Sequence, residues 1–305
     1  MKAESFFNHL FQFDREETRG DYLFVKLIET VMLFQVLLYA WSWAAYMPLL
    51  SEVILPLGIA NYVDVSFMFQ PTYAYINAFL ISVFVLAGYL NKGRSFYLIA
   101  LFLMHLHYVA RYSQGEISHG SNLTAMVLLS FALGDLFIEE ASGRRKGVFG
   151  LILFFAGFGY VSAAVCKLVG TGLLWPDGRH MYLWMGERSI DRLSQHGVFE
   201  FNLLQEYMFQ YYWLATAILS FGLWVEFTGF LLWFRKTRWI QATLLIGMHV
   251  GILVTMNIYF GPYIYILLLI GYPWNKIFNF LLGKIPDSVI CKFIDHKLEV
   301  SRHRV

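Results

Sequence analysis

Lys167 lies inside an apolar stretch that is rich in small residues and runs from Phe155 to Gly178. The stretch ends in a turn sequence, Trp-Pro-Asp-Gly, that begins at Trp175. A charged side chain within an apolar membrane segment is costly, so it needs a partner or a function. Because burial away from water favours the neutral amine of a lysine, such a group can act as a base. Lys167 is therefore our first candidate catalytic residue.

Other polar side chains lie within or at the ends of apolar stretches, and a rise of 1.5 Å per residue sorts them into two predicted layers. An outer layer around Lys167 would contain Arg111, His119, Asn122 and Asn257. A layer nearer the membrane centre would contain His105, His107, Glu226 and His249. Since Glu226 and His249 have matching depths on sequential helices, we expect a hydrogen bond between them. Glu29 and Asp135 are predicted to be peripheral.

Lys167 also has a purely structural interpretation. Its long side chain could carry the ammonium outward to the lipid headgroups. Against this, Lys167 shares a helical stripe with small residues such as Ala163 and Gly170. A stripe of that kind is typical of a face packed against other helices.

The other candidates have structural alternatives as well. A Glu226–His249 bond could simply hold two helices together. His105 and His107 point to nearly opposite sides of a helix, so at least one of them is expected to be a packing histidine. A metal site formed by His105, His249 and Glu226 is not expected, because no HxxxH or ExxH spacing links these three residues. Arg111 suits an interfacial anchor or a phosphate contact.

The composition is typical of an integral membrane protein. Hydrophobic residues make up 58% of the 305 residues and charged residues only 14%, against roughly 25% charged in soluble domains. The charges are bunched into short runs between long apolar stretches, which favours a polytopic chain. No basic face with interleaved aromatic residues is present, so nucleic acid is not an expected partner.

The apolar stretches predict an all-α polytopic membrane protein with about eight transmembrane helices. The predicted spans are 24–47, 71–90, 96–112, 121–138, 148–172, 211–234, 239–258 and 259–277, the last of them broken by Pro262 and Pro273. Residues 1–23 are predicted to form an amphipathic segment on the cytoplasmic membrane surface. The transmembrane domain would then cover 24–277, and 278–305 would be a basic cytoplasmic tail.

Basic residues cluster in the loops that fall on one side of an eight-span arrangement, and the positive-inside rule makes that side cytoplasmic. Both termini are then cytoplasmic, in what we expect to be a bacterial inner membrane. The long segment 173–210 would be external. Because it is rich in Trp, Met, His and charged residues, we predict an interfacial lid or re-entrant segment rather than a bland linker.

Three patches of the sequence resemble one family of membrane enzymes. Tyr160-Val-Ser-Ala-Ala-Val-Cys-Lys167-Leu, followed by Trp175 and Gly178, is similar to the Y-x-x-A-G-x-x-K-L…W-x-x-G segment of the vitamin K-dependent gamma-carboxylases. The run from Gly229 to Arg235, followed by His249, Asn257 and Gly261-Pro-Tyr-Ile, resembles that family's next helix pair. Ser118-His119-Gly-Ser-Asn122-Leu resembles its entry into the fourth helix. These patches span about residues 100–272 and resemble the broader HTTM (horizontally transferred transmembrane) group.

The resemblance implies a specific activity. In these carboxylases the matching lysine deprotonates vitamin K hydroquinone, and oxygen converts the quinol into a strong base. That base removes a proton from a substrate glutamate, which then takes up carbon dioxide. We accordingly predict a reduced quinone as cofactor and a peptide or lipid substrate from the external side. The predicted catalytic residues are Lys167, Asn122 and His119. The predicted cofactor-binding residues are Tyr160, Trp175, His249, Asn257 and Arg111, with Glu226 and His105 in a supporting polar network.

Three features depart from the carboxylase pattern. The gap from Lys167 to Trp175 is longer, and the family's fourth-helix histidine aligns with Asn122 rather than His119. No large soluble domain follows the spans, so we expect a minimal HTTM-type core. Two functions stay open: an enzyme that uses Lys167 as a base, and a non-catalytic membrane subunit that binds lipid, quinone or a partner helix. A transporter is disfavoured because no internal repeat is visible.

Overall fold

A computed structural model describes residues 3–11, 15–115, 120–286 and 288–302, and within those ranges it is all-α, with no strand. The α-helices in the first part of the chain are α1 (Ala3–Phe11), α2 (Arg19–Tyr46), α3 (Pro71–Tyr89), α4 (Phe96–Arg111), α5 (Asn122–Phe137) and α6 (Ala141–Thr171). They are followed by α7 (Gly178–His196), α8 (Leu203–Gln210), α9 (Tyr212–Phe227), α10 (Arg238–Met256), α11 (Gly261–Gly271), α12 (Trp274–Gly283) and α13 (Val289–Arg302). The all-α prediction is confirmed.

Five helical stretches of the described chain are long and apolar enough to cross a membrane. They are Arg19–Leu49, Pro71–Tyr89, Ala141–Leu174, Tyr212–Trp233 and Arg238–Met256. The predicted eighth span contains two shorter helices, α11 and α12, with a break at Tyr272-Pro273 because proline has no N–H to continue a helix. Together these two helices pass the same test, as one broken span or a re-entrant loop. α4 and α5 are apolar but have 16 residues each, about 24 Å at 1.5 Å per residue. Several long apolar helices are thus compatible with a multi-pass membrane protein.

The chain divides into two compact units. Unit 1 comprises residues 1–152 and 273–305, and unit 2 comprises residues 153–272. Helix α6 begins in unit 1 and ends in unit 2.

In unit 1, the two ends of the chain meet at the start of α2. The side chains of Thr18 and Asp21 cap this helix reciprocally, in a capping box. Asn279 of α12 bonds to the Gly20 N–H at 2.7 Å, and Arg19 pairs with Asp295 of α13 through two contacts of 2.6 Å. The predicted tail is therefore helical up to Gly283 and again from 289, and it packs on α2.

The N-terminal segment differs in part from the predicted surface helix. Helix α1 covers only residues 3–11, and α2 already begins at Arg19, within the range assigned to that helix. Leu10 is fully buried, and the Phe11 ring lies against Gly150 at a distance that leaves no room for a Cβ. Phe7 alone among these apolar residues is strongly exposed. Leu10 and Phe11 are therefore hydrophobic because they pack against the protein, and not only because they face a membrane surface.

In unit 2, the segment 173–210 is helical rather than an irregular loop. Its helices α7 and α8 bury one face in a methionine-rich core with α9 and α10, formed by Met181, Met185, Met208, Ala215, Leu219 and Met256. Methionine fills irregular gaps between helices well. The amide of Gln205 also donates to the Thr255 carbonyl at 2.7 Å. Helices α7 and α8 thus belong to the body of unit 2.

Candidate functional site

Helix α6 runs antiparallel to α9 and to the short 3-10 helix that follows α9 (Thr228–Trp233), and α6 and this 3-10 helix touch through two glycines. A Cβ on Gly157 would lie 2.4 Å from Nε1 of Trp233 and 3.0 Å from the Gly229 carbonyl oxygen. A Cβ on Gly229 would lie 2.6 Å from Cβ of Tyr160. The missing side chains let the backbones approach closely, as they do in membrane helix pairs. The Trp233 ring also stacks on Phe154 at 5.5 Å, which fixes the register of the two helices.

Near this contact, Lys167 of α6 pairs with Glu226 of α9. The lysine Nζ donates to both carboxylate oxygens, at 2.5 Å to Oε1. It also lies 4.8 Å from the centre of the Trp175 ring, within cation–π distance. The lysine side chain is 30% exposed and that of Glu226 is 10% exposed. An acid, a base and an aromatic face therefore meet at a partly accessible point within otherwise apolar helices.

This pair corrects two expectations. Glu226 was predicted to bond to His249, but its carboxylate bonds to Lys167. Lys167 and Glu226 were also predicted to lie in different layers. Side chains on a helix lean toward its N-terminus, so on antiparallel α6 and α9 these two lean toward each other. Counting depth by backbone position alone misses this effect.

His249 bonds instead to Tyr160. Its Nε2 lies 2.8 Å from the tyrosine hydroxyl, and the aromatic rings of Phe260 and Tyr263 lie 5.1 and 5.2 Å from the imidazole. Both members of the pair are buried. Nδ1 of His249 is buried and has no hydrogen-bond partner among the described residues. Unit 2 thus holds a second buried polar pair whose hydrogen-bonding capacity is only partly used.

The turn that carries Trp175 is anchored to α7 and α9. The His180 ring lies 2.7 Å from the Trp175 carbonyl. Asp177 caps α7 by accepting from the Arg179 N–H at 2.9 Å and also accepts from the Tyr212 hydroxyl. The Arg179 guanidinium and this hydroxyl hold the pKa of the Asp177 carboxyl well below its usual range. The Trp-Pro-Asp-Gly sequence therefore positions an aromatic ring beside Lys167.

The remaining predicted site residues are distributed over both units. Asn257 belongs to unit 2, where it ends α10 in the left-handed conformation (φ 56°), a position that asparagine tolerates. Asn122 and His105 belong to unit 1 and line a cavity of about 210 Å³ together with Tyr39, Trp43 and Tyr108. His119 lies outside the described residues. The predicted common outer layer therefore stays a prediction.

Two further residues of unit 1 are engaged in local packing. The Arg111 guanidinium lies 3.6 Å from the centre of the Tyr46 ring, a cation–π contact. His107 is fully buried and lies 3.2 Å from the Ala74 carbonyl, which identifies it as a packing histidine. Among the described residues, no group of three or more His, Cys, Asp or Glu side chains is placed to hold a metal ion.

Unit 1 contains a second lysine–glutamate pair, which was not among the predicted site residues. Lys26 Nζ lies 2.7 Å from Glu29 Oε2 and 3.6 Å from the centre of the Tyr89 ring. The Tyr97 hydroxyl donates to Glu29 Oε1 at 2.5 Å. Glu29 was predicted to be peripheral, but it is buried. Asp135, also predicted to be peripheral, is buried and paired with Arg144 at 3.2 Å.

Comparison with protein-family models, with curated proteins and with solved structures found no match to this chain.

Proposed function

We propose that this protein is a multi-pass membrane enzyme in which Lys167 acts as a base on a quinol, in a reaction like that of the vitamin K-dependent gamma-carboxylases. The observation that carries the proposal is the contact of Lys167 with Glu226 and Trp175. A lysine within an apolar helix is placed beside a carboxylate and under an aromatic face, and it is still partly exposed.

The residues around Lys167 suit a quinol headgroup. A bound quinol would supply two electrons, which pass to molecular oxygen, and two acidic protons. Lys167 is partly exposed, so its ammonium would first release a proton to water. The neutral amine would then take one hydroxyl proton from the quinol and become an ammonium again. The Glu226 carboxylate, already within hydrogen-bond distance, would compensate the positive charge that appears. The Trp175 ring offers a flat face for stacking, and the unpartnered Nδ1 of His249 offers a further hydrogen bond.

The substrate would be a peptide modified from the external side, in a carboxylation-like reaction. The proposed arrangement has eight crossings, both termini in the cytoplasm of a bacterium, and α7 and α8 on the outer face. It is supported by the basic clusters at Lys92–Arg94, Arg144–Lys146 and Arg235–Arg238. The two 16-residue helices α4 and α5 would cross where neighbouring helices or a thinner bilayer accommodate them.

The test is quinol oxidation by the purified protein in lipid nanodiscs, supplied with vitamin K hydroquinone and oxygen. We expect oxidation above the uncatalysed rate, and a fall of roughly 10²- to 10⁴-fold in Lys167→Ala. Lys167→Arg should be equally inactive, because a guanidinium does not release its proton in proteins. Lys26→Ala, at the pair in unit 1, is the matched control and should keep the parent rate.

Two outcomes would contradict the proposal. The first is a parent protein that does not oxidise the quinol above background. The second is a Lys167→Ala variant that oxidises it at the parent rate while folded in the membrane.

The alternative is a non-catalytic subunit that binds lipid, quinone or a partner helix. One observation favours it: both oxygens of Glu226 bond to Lys167, so the pair compensates its own charge, as a structural ion pair would. Under this alternative, Lys167→Arg keeps the biological activity and Lys167→Ala loses it, because only the positive charge is needed.

A further inference from the structure

The last two helices of the chain form a hairpin fixed to the start of α2. Leu282 of α12 packs with Cys291 and Ile294 of α13 and with Tyr22 and Leu23 of α2. The Arg19–Asp295 pair and the bonds of Asn279 add polar contacts to this packing. The hairpin is therefore held in one orientation, and its outer face is a defined surface.

That outer face is strongly apolar. Large hydrophobic side chains that are 45–83% exposed line it on both helices and the turn between them: Ile277, Phe280, Leu281, Ile285, Val289, Ile290 and Phe293. On α13, Val289 and Phe293 are one helical turn apart, on the side opposite the packed Cys291 and Ile294. An exposed apolar patch of this kind marks a contact with a membrane or a partner.

Lysines accompany the two exposed phenylalanines at the same spacing. Lys284 lies four residues after Phe280, with its Nζ 4.5 Å from the ring centre. Lys297 lies four residues after Phe293, with its Nζ 5.5 Å from the ring centre. Each lysine thus runs along an aromatic ring and carries its charge to the edge of the apolar face, as side chains do at a membrane interface.

The charges of the hairpin are mainly positive. Lys276, Lys284, Lys292 and Lys297 are all exposed. Among its described acidic side chains, Asp295 is already paired with Arg19, which leaves Glu299. Four lysines interleaved with apolar side chains next to apolar helices match the pattern that recognises anionic lipid headgroups.

We propose that the outer face of the α12–α13 hairpin is a docking surface for anionic phospholipid. The exposed apolar side chains enter the headgroup and upper acyl region, and the four lysines bind the phosphates. The hairpin anchors the start of α2 to the bilayer surface through the contacts of Arg19 and Asn279. This surface lies in unit 1 and is independent of the chemistry proposed for Lys167.

The test uses the full chain, purified in detergent and titrated with phosphatidylglycerol or phosphatidylcholine, with bound lipids counted by native mass spectrometry. The parent should bind phosphatidylglycerol more tightly. Each lysine near an anionic surface contributes roughly fivefold in affinity, so Lys292→Gln/Lys297→Gln should weaken phosphatidylglycerol binding by about 5- to 25-fold. Phosphatidylcholine binding should not change.

The matched control is Arg188→Gln/Arg192→Gln, which removes two positive charges from α7 of unit 2. It should leave phosphatidylglycerol binding unchanged. The proposal is overturned if the lysine variant binds phosphatidylglycerol like the parent, or if the control weakens binding equally. It is also overturned if the protein is a dimer that Phe280→Ser/Phe293→Ser dissociates, because a second copy would then cover this face. Circular dichroism checks that each variant keeps its helices.

Discussion

The two lysine–glutamate pairs of this protein have nearly the same parts but different connections. In both, the lysine side chain is 30% exposed, the glutamate is 10–11% exposed, and an aromatic ring lies under the ammonium. Lys26 and Glu29 are three residues apart on α2, whereas Lys167 and Glu226 come from helices α6 and α9. One pair is local and the other depends on tertiary packing.

The hydrogen bonds around the two pairs differ as well. In unit 1, Glu29 also accepts from the Tyr97 hydroxyl, and Lys26 also donates to the Tyr89 carbonyl at 3.1 Å. In unit 2, Glu226 bonds to Lys167 alone among the described residues. The pair in unit 1 is thus part of a connected network, which is typical of a structural role. The pair in unit 2 belongs to no such network among the described residues.

The largest expected effect is on the reaction rate. Lys167→Arg should lower quinol oxidation by roughly 10²- to 10⁴-fold, because it keeps the charge but removes the base. Lys26→Arg should leave the rate unchanged. Initial rates in nanodiscs measure both. Equal losses from the two substitutions would end the distinction between a catalytic and a structural pair.

The second effect is on stability. Glu226→Ala should lower the free energy of unfolding by about 2–3 kcal/mol, less than the 3–5 kcal/mol of a fully buried pair, because Lys167 is partly exposed. The double variant Lys167→Met/Glu226→Leu should recover most of this loss, since no other described side chain hydrogen-bonds to the pair and the Trp175 ring can pack against methionine. Unfolding by denaturing detergent measures it.

The pair in unit 1 should behave differently under the same double replacement. Lys26→Met/Glu29→Leu leaves the buried Tyr97 hydroxyl without its acceptor, a cost of about 1–3 kcal/mol. We therefore expect the double variant to stay destabilised. If the unit 1 double variant regains its stability as the unit 2 double variant does, the hydrogen bond from Tyr97 does not distinguish the two pairs.

Most helices could be predicted from the sequence, but which side chains pair between helices could not. Apolar stretches mark α2, α3, α9 and α10 directly, because a long apolar run leaves few alternatives. The pairing of Lys167 with Glu226 was missed, since it depends on the direction in which side chains lean and on the contact between Gly157 and Gly229, 72 residues apart in the chain (229 − 157). The rule that opposite charges in apolar helices tend to pair could have suggested it.

Proline and local spacing account for two other differences. The sequence predicted breaks at both Pro262 and Pro273, but Pro262 lies in the first turn of α11, where proline is tolerated, and the helix breaks at Pro273. The i,i+3 spacing of Lys26 and Glu29 was visible and is a known helical pair. The structural importance of this pair was missed because it depends on Tyr97. The Tyr97 hydroxyl connects the buried Glu29 to a hydrogen-bond network, but Tyr97 lies 68 residues away in the chain.

The third effect concerns the helix crossing on which only the pair in unit 2 depends. Gly157→Ala places a Cβ 2.4 Å from Trp233 and 3.0 Å from the Gly229 backbone. The resulting overpacking should cost about 1–3 kcal/mol and separate Lys167 from Glu226, lowering the quinol oxidation rate. Gly170→Ala, on the same helix with no atom within 4 Å of its Cβ, should change neither. If Gly157→Ala and Gly170→Ala have the same stability and the same oxidation rate, the glycine contact does not position Lys167 and Glu226.

The smallest effect is that of the aromatic ring. Trp175→Leu should weaken the interaction with Lys167 by about 0.5–1 kcal/mol, whereas Trp175→Phe keeps a ring and should lose less. A double-mutant cycle with Lys167→Met isolates this energy from the packing of Trp175 on Trp184. The Tyr89 ring lies closer to Lys26, at 3.6 Å against 4.8 Å, so Tyr89→Leu should show the larger coupling. A larger coupling at Trp175 would mean that this ring contributes to holding Lys167 more than the distances indicate, which would favour a positioning role for the tryptophan in the reaction.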